Sequence, residues 1–453
     1  MTTPAWPAAS AGASPPADVV TIDPARPLRG RVRVPGDKSM SHRALLLAAL
    51  AEGRSTIRGL SDGDDVRRTA VAIAAHGAGI VVDDAPDPGG RLPLPGIPAL
   101  HVDGGRSLLH EPLQPIDVGN SGTGIRLLAG WAAAFPWLTV LHGDRYVAQR
   151  PMGRVTDPLR LMGASVDGRD GGRYPPLTVR GGALAGIDYP LPVASAQVKA
   201  AVLIAGLAAT GVTTVREPAP IRAHTEEMLQ ACGAAVEIDG GGSIVSVRAS
   251  GLHAFDLEVP GDPSQAAFWV VAACVVPDSD VTIEGVYVGR ARAGFIDVLR
   301  RMGADIEVVD RAEHTADLRV RYAPLRGTVV AGDEVPGLID EVPALAVAAA
   351  AAAGPTEFRD AAELAVKETD RIATTTAALG ALGAGVERRT DGLSVQGGGS
   401  LHGGVVTSGG DHRIAMAAAI AALIADGPTR VEGWGAVHTS YPSFLDDLAG
   451  LQA

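Results

Sequence analysis

Six segments of this chain are apolar on almost every side, and they constrain its fold more than any other feature. A helix with one polar face can lie at a surface, but a helix without one must be covered by protein all round. The segments span residues 43–51, 125–135, 198–209, 266–276, 342–353 and 414–425. They predict six buried helices.

Each apolar segment is followed by a short turn and a strand-like run, so the pattern is a repeat. The six runs read STIRGL, LTVLHG, VTTVRE, VTIEGV, TEFRDA and TRVEGW. After five of them, an amphipathic helix ends at a Gly-Ala pair, where glycine supplies a left-handed stop before another strand. These glycines are Gly77, Gly163, Gly233, Gly303 and Gly383. The sequence therefore predicts six copies of one helix–strand unit, here called modules 1 to 6.

The start and the middle of the chain share a hexapeptide pattern. VPGDKS at 34–39 and VPGDPS at 259–264 each precede an apolar segment, close to half the chain length apart. We predict an α/β fold of two similar domains with three modules each: residues 35–259, and residues 19–34 together with 260–453. The sixth amphipathic helix reaches the chain end before its Gly-Ala strand, so an extra strand at 19–34 is expected to supply that pairing. The alternative is an ordinary βα protein with Gly-Ala pairs by chance.

Composition limits the partners and the surroundings of the protein. The formal charge is −12, from 39 basic and 51 acidic residues, which disfavours nucleic-acid binding. No apolar run reaches the roughly 18 residues of a membrane span. Two cysteines, Cys232 and Cys274, make neither a disulfide framework nor a metal-ligand spacing. Residues 1–18, rich in Ala, Pro and Ser, are predicted to be a disordered tail. We expect a cytoplasmic monomer that binds neither nucleic acid nor membrane.

The residues just before the apolar segments are small, polar or charged, as is typical of helix N-termini. Free N–H groups and the helix dipole make such termini anion sites. If the modules repeat in space, three termini converge in each domain, and two facing domains enclose a cleft lined by six. The cations in or near these loops are Lys38, Arg43, Arg126, Lys199 and Arg413. They predict a substrate with several negative charges.

Two of these loops contain glycine patterns that differ from the known phosphate-binding motifs. The run GDKS at 36–39 lacks the spaced first glycine of a P-loop, and GNSGTG at 119–124 has the wrong spacing for a dinucleotide fold. Helix capping alone is the alternative interpretation of both. Cations at helix starts oppose the dipole, however, and this favours a bound anion that offsets the cost.

Three further polar stretches each have two interpretations. DRYVAQRP at 144–151 and VKETDR at 366–371 are either solvated segments, the second with local surface ion pairs, or parts of a site. Asp340 and Glu341 open a very apolar helix, where a carboxylate is either an N-cap or a general base. Their position among the other polar loops favours the base.

Eight motifs follow one another along the chain. They read PGDKSMSHRALLLAAL, GNSGTGIRLL, QRPMGR, ASAQVKAAVLIAGL, IRAHTEEML, LIDEVPALAVAAA, VKETDRI and GGDHRIAMA. In this order they resemble the enolpyruvyl transferase family, and within it the 5-enolpyruvylshikimate-3-phosphate synthases, from residue 19 to the chain end. The resemblance implies an inside-out α/β barrel in each domain, built from three βαβαββ units around buried helices. It also implies transfer of the enolpyruvyl group of phosphoenolpyruvate to the 5-hydroxyl of shikimate-3-phosphate, in chorismate and aromatic amino-acid biosynthesis.

The resemblance assigns binding roles to individual residues of this chain. For shikimate-3-phosphate it implies Lys38, Ser39, Arg43, Ser195, Ala196, Gln197, Arg222, Asp340 and Lys367. For phosphoenolpyruvate it implies Lys38, Gly122, Arg150, Gln197, Arg371, Arg413 and Thr439. Arginine suits planar carboxylate and phosphate groups, because it binds them through two parallel hydrogen bonds. The first domain is thus expected to hold mainly shikimate-3-phosphate.

The same resemblance implies three catalytic roles. Asp340 is the base for the 5-hydroxyl, Glu368 donates a proton to the methylene carbon of phosphoenolpyruvate, and Lys38 assists the loss of phosphate from a tetrahedral intermediate. No metal or cofactor is expected, because guanidinium groups and helix N-termini supply the positive field.

One position departs from the family, and two rival functions remain. Many members carry a lysine before an aromatic-proline pair near the C-terminus, where this chain has Thr439 or a neighbour. One rival is the sister enzyme that acts on UDP-N-acetylglucosamine. That enzyme has Lys-Asn where this chain has Lys38-Ser39, and residues 85–118 lack its reactive cysteine. The other rival is a non-catalytic or repurposed relative.

Overall fold

The computed structural model of the protein describes residues 18–82 and 99–452. All six apolar segments lie in helices that are buried along nearly their whole length, which confirms the prediction. Five of the six are capped by an Asp or Ser side chain that accepts a hydrogen bond from a backbone N–H of the first turn. These inner helices span Lys38–Leu50, Gly122–Ala132, Ala196–Gly206, Pro263–Val275, Val342–Ala351 and His412–Ala422.

A second, amphipathic helix follows in every module. The five predicted glycine stops have φ between 79° and 105°, a left-handed conformation that glycine adopts without strain. These outer helices span Asp64–Ala75, Gly153–Leu161, His224–Ala231, Gly294–Met302, Arg371–Ala381 and Phe444–Gln452. Shorter helical turns lie at Val147–Gln149, Arg169–Gly172, Gly240–Gly242, Gly332–Gly337, Ala362–Val366 and Trp434–Thr439.

Each module has its own small sheet with a constant order. The strand after the inner helix pairs in parallel with a leading strand on one side and antiparallel with a return strand on the other. The return strand also pairs with an edge strand that starts after the Gly-Ala stop. In that order, the sheet of module 2 is Ile116–Asp117, Thr139–His142, Tyr174–Arg180 and Ser165–Gly168. The sheet of module 3 is Asp188–Pro190, Val212–Arg216, Ile244–Arg248 and Val236–Asp239, and that of module 5 is Val329–Val330, Pro355–Phe358, Gly392–Gln396 and Gly385–Arg389.

Modules 1 and 4 take their leading strands from distant parts of the chain. In module 1 the leading position is filled by Leu252–His253 and Asp256–Glu258, and in module 4 by Arg29–Val32. The other strands of module 1 are Ala51–Arg58, Leu100–Gly104 and Gly79–Val82. Those of module 4 are Asp280–Tyr287, Thr315–Arg321 and Asp305–Ala312.

Module 6 contains three strands rather than four, in the order Val405–Thr407, Thr429–Glu432 and Val19–Ile22. The N-terminal strand therefore supplies a pairing that module 6 lacks, as expected, but it occupies the return position, antiparallel to Thr429–Glu432. The expectation of one strand at 19–34 was wrong. Residues 23–28 interrupt it, and its second half joins module 4 instead.

The described chain forms two compact units, which are Gly36–Val259 and residues 18–35 with 260–452. Each has a buried tryptophan on an inner helix that contacts another element of the same unit. In the first unit, Trp131 donates its indole N–H to the carbonyl of Leu46, 3.1 Å away. In the second, Trp269 donates to the hydroxyl of Tyr441 at 2.8 Å and stacks on Phe444. Apart from such residues, the cores consist largely of Ala, Val and Leu.

No helix within the described ranges is long and apolar enough to cross a bilayer. The predicted disordered tail at 1–18 lies outside the described residues except for Asp18. The carbonyl of Asp18 accepts hydrogen bonds from the backbone N–H groups of Gly433 and Trp434.

Candidate active site

Arg43 links the inner-helix loops of modules 1 and 3 in the first unit. This arginine is 2% exposed, and its Nε donates to Oγ1 of Thr225 at 2.8 Å. Its two other nitrogens donate to the carbonyls of Ser39 at 2.8 Å and Ala196 at 3.3 Å. Arg43 thus joins the start of module 1 to the start of module 3, and it brings Ser39 and Ala196 together as predicted site residues.

Lys38 is the first residue of the first inner helix, at the positive end of the helix dipole. Its ammonium lies 3.1 Å from Oδ2 of Asp65, and both side chains are largely buried. Asp65 sits in the first turn of the outer helix of the same module. The carboxylate offsets the cost of placing a cation at a helix N-terminus.

The loop of module 2 brings two arginines against Gly122. A Cβ atom on Gly122 would lie 2.0 Å from Nη1 of Arg150 and 3.2 Å from Nη1 of Arg126. Arg126 donates to Oε1 of Gln197 at 2.8 Å, and the amide of Gln197 donates to Oγ1 of Thr123 at the same distance. A side chain at this position would displace the guanidinium group of Arg150 from this contact.

His42 connects module 1 to module 2 through hydrogen bonds of its ring. Its Nδ1 lies 2.7 Å from Oγ1 of Thr69, and its Nε2 lies 3.3 Å from Oγ of Ser121, the cap of the second inner helix. Burial, followed by the charges of Lys38 and Arg43, lowers the pKa of His42 well below its usual value. The ring is accordingly neutral and serves as a hydrogen-bonding link rather than a further cation.

The prediction that Lys199 faces the anion site was wrong. Lys199 is fully buried, and its ammonium lies 2.7 Å from carboxylate oxygens of both Glu217 and Glu226. A lysine in such surroundings must be paired, because an isolated buried charge is costly. The residue belongs to an interior ion cluster of the first unit.

The two other predicted residues of module 3 lie near its loop. Ser195 caps the third inner helix through a hydrogen bond from the N–H of Val198. Arg222 is half-buried and lies two residues before the outer helix that carries Thr225, the partner of Arg43.

The run at 144–151 is fixed to the loop of module 2. Oδ2 of Asp144 accepts from the side-chain amide of Asn120 at 2.8 Å, and Oδ1 accepts from the backbone N–H groups of Tyr146 and Val147. Arg150 is only 7% exposed. These contacts contradict the interpretation of this run as a solvated segment.

In the second unit, Asp340 is surrounded by cations. Its Oδ1 lies 3.1 Å from Nζ of Lys367 and 3.2 Å from Nη1 of Arg371. Nη1 of Arg413 donates to the backbone carbonyl of Asp340 at 3.2 Å. The structure therefore brings together four predicted site residues from modules 5 and 6.

Arg371 is the centre of this cluster. It is 1% exposed and contacts Oε2 of Glu368 at 2.5 Å and Oδ2 of Asp411 at 2.8 Å, in addition to Asp340. Burial opposes its charge, but Asp411, Glu368 and Asp340 together raise the pKa of the guanidinium above its usual value. The predicted Glu368–Arg371 pair exists, but the interpretation of it as a surface pair was wrong.

The two carboxylates at 340–341 do not cap the fifth inner helix. Glu341 occupies the N-cap position without a side-chain cap hydrogen bond, and Nη1 of Arg292 lies 3.0 Å from its Oε1. In module 4, Asp262 accepts from the N–H of Ser264 at 2.8 Å and caps the fourth inner helix. Arg292 also pairs with Asp262.

Thr439 ends a helical turn beside the sixth inner helix. Its hydroxyl donates to the carbonyl of Ala436 at 2.8 Å and lies 3.5 Å from Nδ1 of His412. His412 precedes Arg413 in the chain, so Thr439 is close to the predicted phosphoenolpyruvate arginine.

The sequence interpretation missed several residues of these clusters, namely His42, Asp65, Thr225, Arg292 and Asp411. The acidic run DGDD at 62–65, at the start of an amphipathic helix, was a signal for Asp65. The others have no local signal, because their partners are distant in sequence. Within residues 18–82 and 99–452, no group of three or more His, Cys, Asp or Glu side chains is arranged to hold a metal ion.

The chain is similar to proteins of one enzyme family along almost its whole length. Residues 22–448 match the family model for EPSP synthase (3-phosphoshikimate 1-carboxyvinyltransferase). A 3-phosphoshikimate 1-carboxyvinyltransferase from Gloeobacter violaceus is 50% identical over 435 residues, which cover 95% of this chain and 98% of the relative. One from Synechococcus sp. (strain JA-3-3Ab) is 49% identical over 445 residues, which cover 96% and 97%.

Solved structures agree with the sequence comparison. EPSP synthase from Acinetobacter baumannii matches with a TM-score of 0.81 and 37% identity, over 96% of this chain and 98% of that one. The enolpyruvyl transferase NikO from Streptomyces tendae has the same fold, with a TM-score of 0.77 and 21% identity over 96% and 97% of the two chains. The predicted fold class is confirmed, and the chain belongs to the EPSP synthase family.

Proposed function

We propose that this protein transfers the enolpyruvyl group of phosphoenolpyruvate to the 5-hydroxyl of shikimate-3-phosphate and releases phosphate. The reaction serves chorismate and aromatic amino-acid biosynthesis. Family membership supports the reaction, and one geometric observation carries it. That observation is the contact of the Asp340 carboxylate with Lys367 and Arg371, beside the carboxylate of Glu368.

Shikimate-3-phosphate is assigned mainly to the first unit. Lys38, Ser39 and Arg43 lie at the first inner-helix N-terminus, where free N–H groups and positive charge favour a phosphate. The further residues of this set are Ser195, Ala196, Gln197, Arg222, Asp340 and Lys367. The contact of Arg43 with the Ala196 carbonyl supports grouping modules 1 and 3 in one binding set.

Phosphoenolpyruvate is assigned to Arg150, Arg371 and Arg413, together with Gly122. The further residues of this set are Lys38, Gln197 and Thr439. A phosphate and a carboxylate each present two oxygens to a guanidinium fork, which suits arginine better than lysine.

Two proton transfers define the addition step. Asp340 accepts the proton of the 5-hydroxyl while the hydroxyl oxygen forms a bond to C2 of phosphoenolpyruvate. Glu368 gives a proton to the methylene carbon C3. A hydroxyl is a poor nucleophile without a base, and positioned acids and bases contribute about a hundred- to ten-thousandfold each. Contacts with two cations stabilise the ionised form of Asp340, as a base requires.

In the elimination step, the proton transfer between Glu368 and C3 runs in reverse. The tetrahedral intermediate loses a proton from C3 and expels phosphate from C2, and Lys38 stabilises the leaving phosphate. Glu368 contacts Arg371 at 2.5 Å. An anionic substrate that takes the donors of Arg371 frees Glu368 to carry the proton.

A phosphate-release assay tests the proposal. The protein is incubated with phosphoenolpyruvate and shikimate-3-phosphate, and separately with phosphoenolpyruvate and UDP-N-acetylglucosamine. Release only with shikimate-3-phosphate is the expected result. Folded protein that releases no phosphate above background with either acceptor contradicts the proposal, and release only with the second acceptor supports the sister activity.

The same preparation tests the remaining assignments. We propose that the enzyme works in the cytoplasm as a monomer and without a metal or organic cofactor. Light scattering should give the mass of one chain, and a chelator should leave phosphate release unchanged. A larger mass or loss of activity with the chelator contradicts the respective assignment.

A further inference from the structure

Arg292 connects two inner-helix N-termini inside the second unit. Its side chain is 1% exposed, and Nη2 lies 2.5 Å from Oδ1 of Asp262, the cap of the fourth inner helix. Nη1 lies 2.6 Å from Oγ of Ser264 and 3.0 Å from Oε1 of Glu341, at the start of the fifth inner helix. Ser264 also donates to Oε1 of Glu341. The guanidinium fork thus holds modules 4 and 5 together at the level of their loops.

The start of the fifth inner helix differs from the starts of the other five, all of which lie in the described part of the chain. Each of those five other helices is capped by an Asp or Ser side chain. Glu341 stands in the equivalent position and makes no such bond. Its carboxylate is directed to Arg292 and Ser264 instead. A side-chain cap would satisfy a free backbone N–H group at the helix N-terminus. The contact of Glu341 with Arg292 therefore serves a purpose other than capping.

That purpose follows from the residue before Glu341. Asp340 shares a peptide with Glu341, and Arg413 holds the carbonyl of Asp340 at 3.2 Å. The Asp340–Glu341 peptide is therefore held on both sides, by Arg413 at the carbonyl and by Arg292 through the Glu341 side chain. Its orientation determines where the Asp340 carboxylate points relative to Lys367 and Arg371.

We infer that Arg292 is a positioning residue for Asp340: by fixing Glu341 to the cap of the fourth inner helix, it aims the Asp340 carboxylate at its reaction partner. This inference rests on the proposed function. Arg292 acts through Glu341, so its loss changes the rate of the chemical step more than substrate affinity.

The test compares Arg292→Gln, Arg292→Lys and Leu299→Ala by steady-state kinetics with shikimate-3-phosphate and phosphoenolpyruvate. Misplacement of a reacting group by about 1 Å costs about a hundredfold in rate. We expect Arg292→Gln to lower kcat by about that factor, with smaller changes in both KM values. Arg292→Lys should recover part of kcat, because an ammonium keeps the charge but cannot span both carboxylates as a fork does.

Leu299→Ala is the control for lost stability. Leu299 is fully buried in the neighbouring outer helix, so its truncation destabilises the same module without touching the loops. All variants are assayed at least 15 °C below their own melting temperatures, a margin of roughly the shift that several kcal/mol cause. Wild-type kcat should be retained by Leu299→Ala.

A double variant, Arg292→Gln with Glu341→Gln, separates charge from position. It removes one buried charge of each sign, so we expect melting temperature to recover while kcat stays low. If kcat recovers together with melting temperature, or if Arg292→Gln keeps kcat within twofold of wild type, the inference fails. Should Arg292→Gln not fold, an Arg292→Lys variant with unchanged kcat also overturns it. Wild-type enzyme without phosphate release would instead refute the proposed function.

Discussion

Two arginines in each compact unit differ in the acceptors that they contact, although Lys38 of the first unit is paired with the carboxylate of Asp65. In the first, Arg43 and Arg126 donate to a hydroxyl, a side-chain amide and backbone carbonyls. In the second, Arg371 and Arg292 each contact at least two carboxylates. A neutral acceptor orients a guanidinium without cancelling its charge, whereas a carboxylate cancels it. The first arrangement suits the binding of an anion, and the second suits the movement of protons.

The largest expected effect tests the second unit. Asp340→Ala should lower turnover by about a hundred- to ten-thousandfold, because it removes the proposed base. Binding of shikimate-3-phosphate, measured by calorimetric titration, should remain. Asp333→Ala, which removes an exposed carboxylate nearby in the chain, is the control. Unchanged turnover in Asp340→Ala would contradict the assignment of proton transfer to the second unit.

The next effect concerns stability of the first unit, where the buried acids serve structure. Lys199→Met leaves Glu217 and Glu226 buried without their cation, which costs about 3–5 kcal/mol of unfolding free energy. Urea unfolding measures this loss, and turnover per folded molecule should change little.

Arg216→Ala is the matched control for Lys199→Met. It breaks an exposed pair with Asp188 that solvent screens, so the unfolding free energy should change little. A Lys199→Met variant as stable as Arg216→Ala would show that the interior cluster is not a structural element of the first unit.

A third effect tests anion binding by the first unit. Arg43→Gln removes charge-assisted hydrogen bonds worth about 1.5–3 kcal/mol, so KM for shikimate-3-phosphate should rise roughly 10- to 150-fold. The kcat value should fall less. Arg58→Gln, at an exposed position of module 1, controls for the loss of one positive charge. A variant that loses kcat but keeps KM would reverse the roles given to the two units.

The smallest effect is a pH dependence that arises from His42. Its pKa is lowered in the folded state, so the unfolded chain binds the proton first as pH falls. Its contribution to stability is complete above the unfolded pKa of about 6.5 and is lost below it, by at most about 1.4 kcal/mol per pH unit. Urea unfolding at pH 7.5, 6.5 and 5.5 should show a shallower decline for His42→Asn than for wild type. An identical decline would contradict a neutral buried ring; His253→Asn removes an exposed ring as the control.

The sequence predicted the inner helices and the glycine stops because both have local causes. An apolar run such as that of Val342–Ala351 has no face that water can cover, and Gly303 ends a helix by its own conformational freedom. The strand at Val19–Ile22 was harder to place, because pairing with Thr429–Glu432 depends on a partner at the other end of the chain.

The orientation of side chains on the inner helices was the main failure. Lys199 lies on a helix that is apolar all round, so periodicity gives no direction for it, and it turned out to face two buried glutamates. Arg292 and Asp411 were missed for a related reason, since the side chains they pair with lie 28 or more residues away in the chain. The catalytic and binding roles of the assigned residues stay predictions until the variants are measured.

The N-terminal strands affect the order in which the protein can fold during its synthesis on the ribosome. Arg29 pairs with Asp280 and Ile22 with Thr429. The strands Val19–Ile22 and Arg29–Val32 therefore pair only after residues far along the chain have been synthesised. Residues 36–259 can form contacts among themselves earlier. Such late pairings across long stretches of chain are slow and leave strand edges uncovered meanwhile. Completion of the second unit is thus tied to synthesis of the strand Thr429–Glu432.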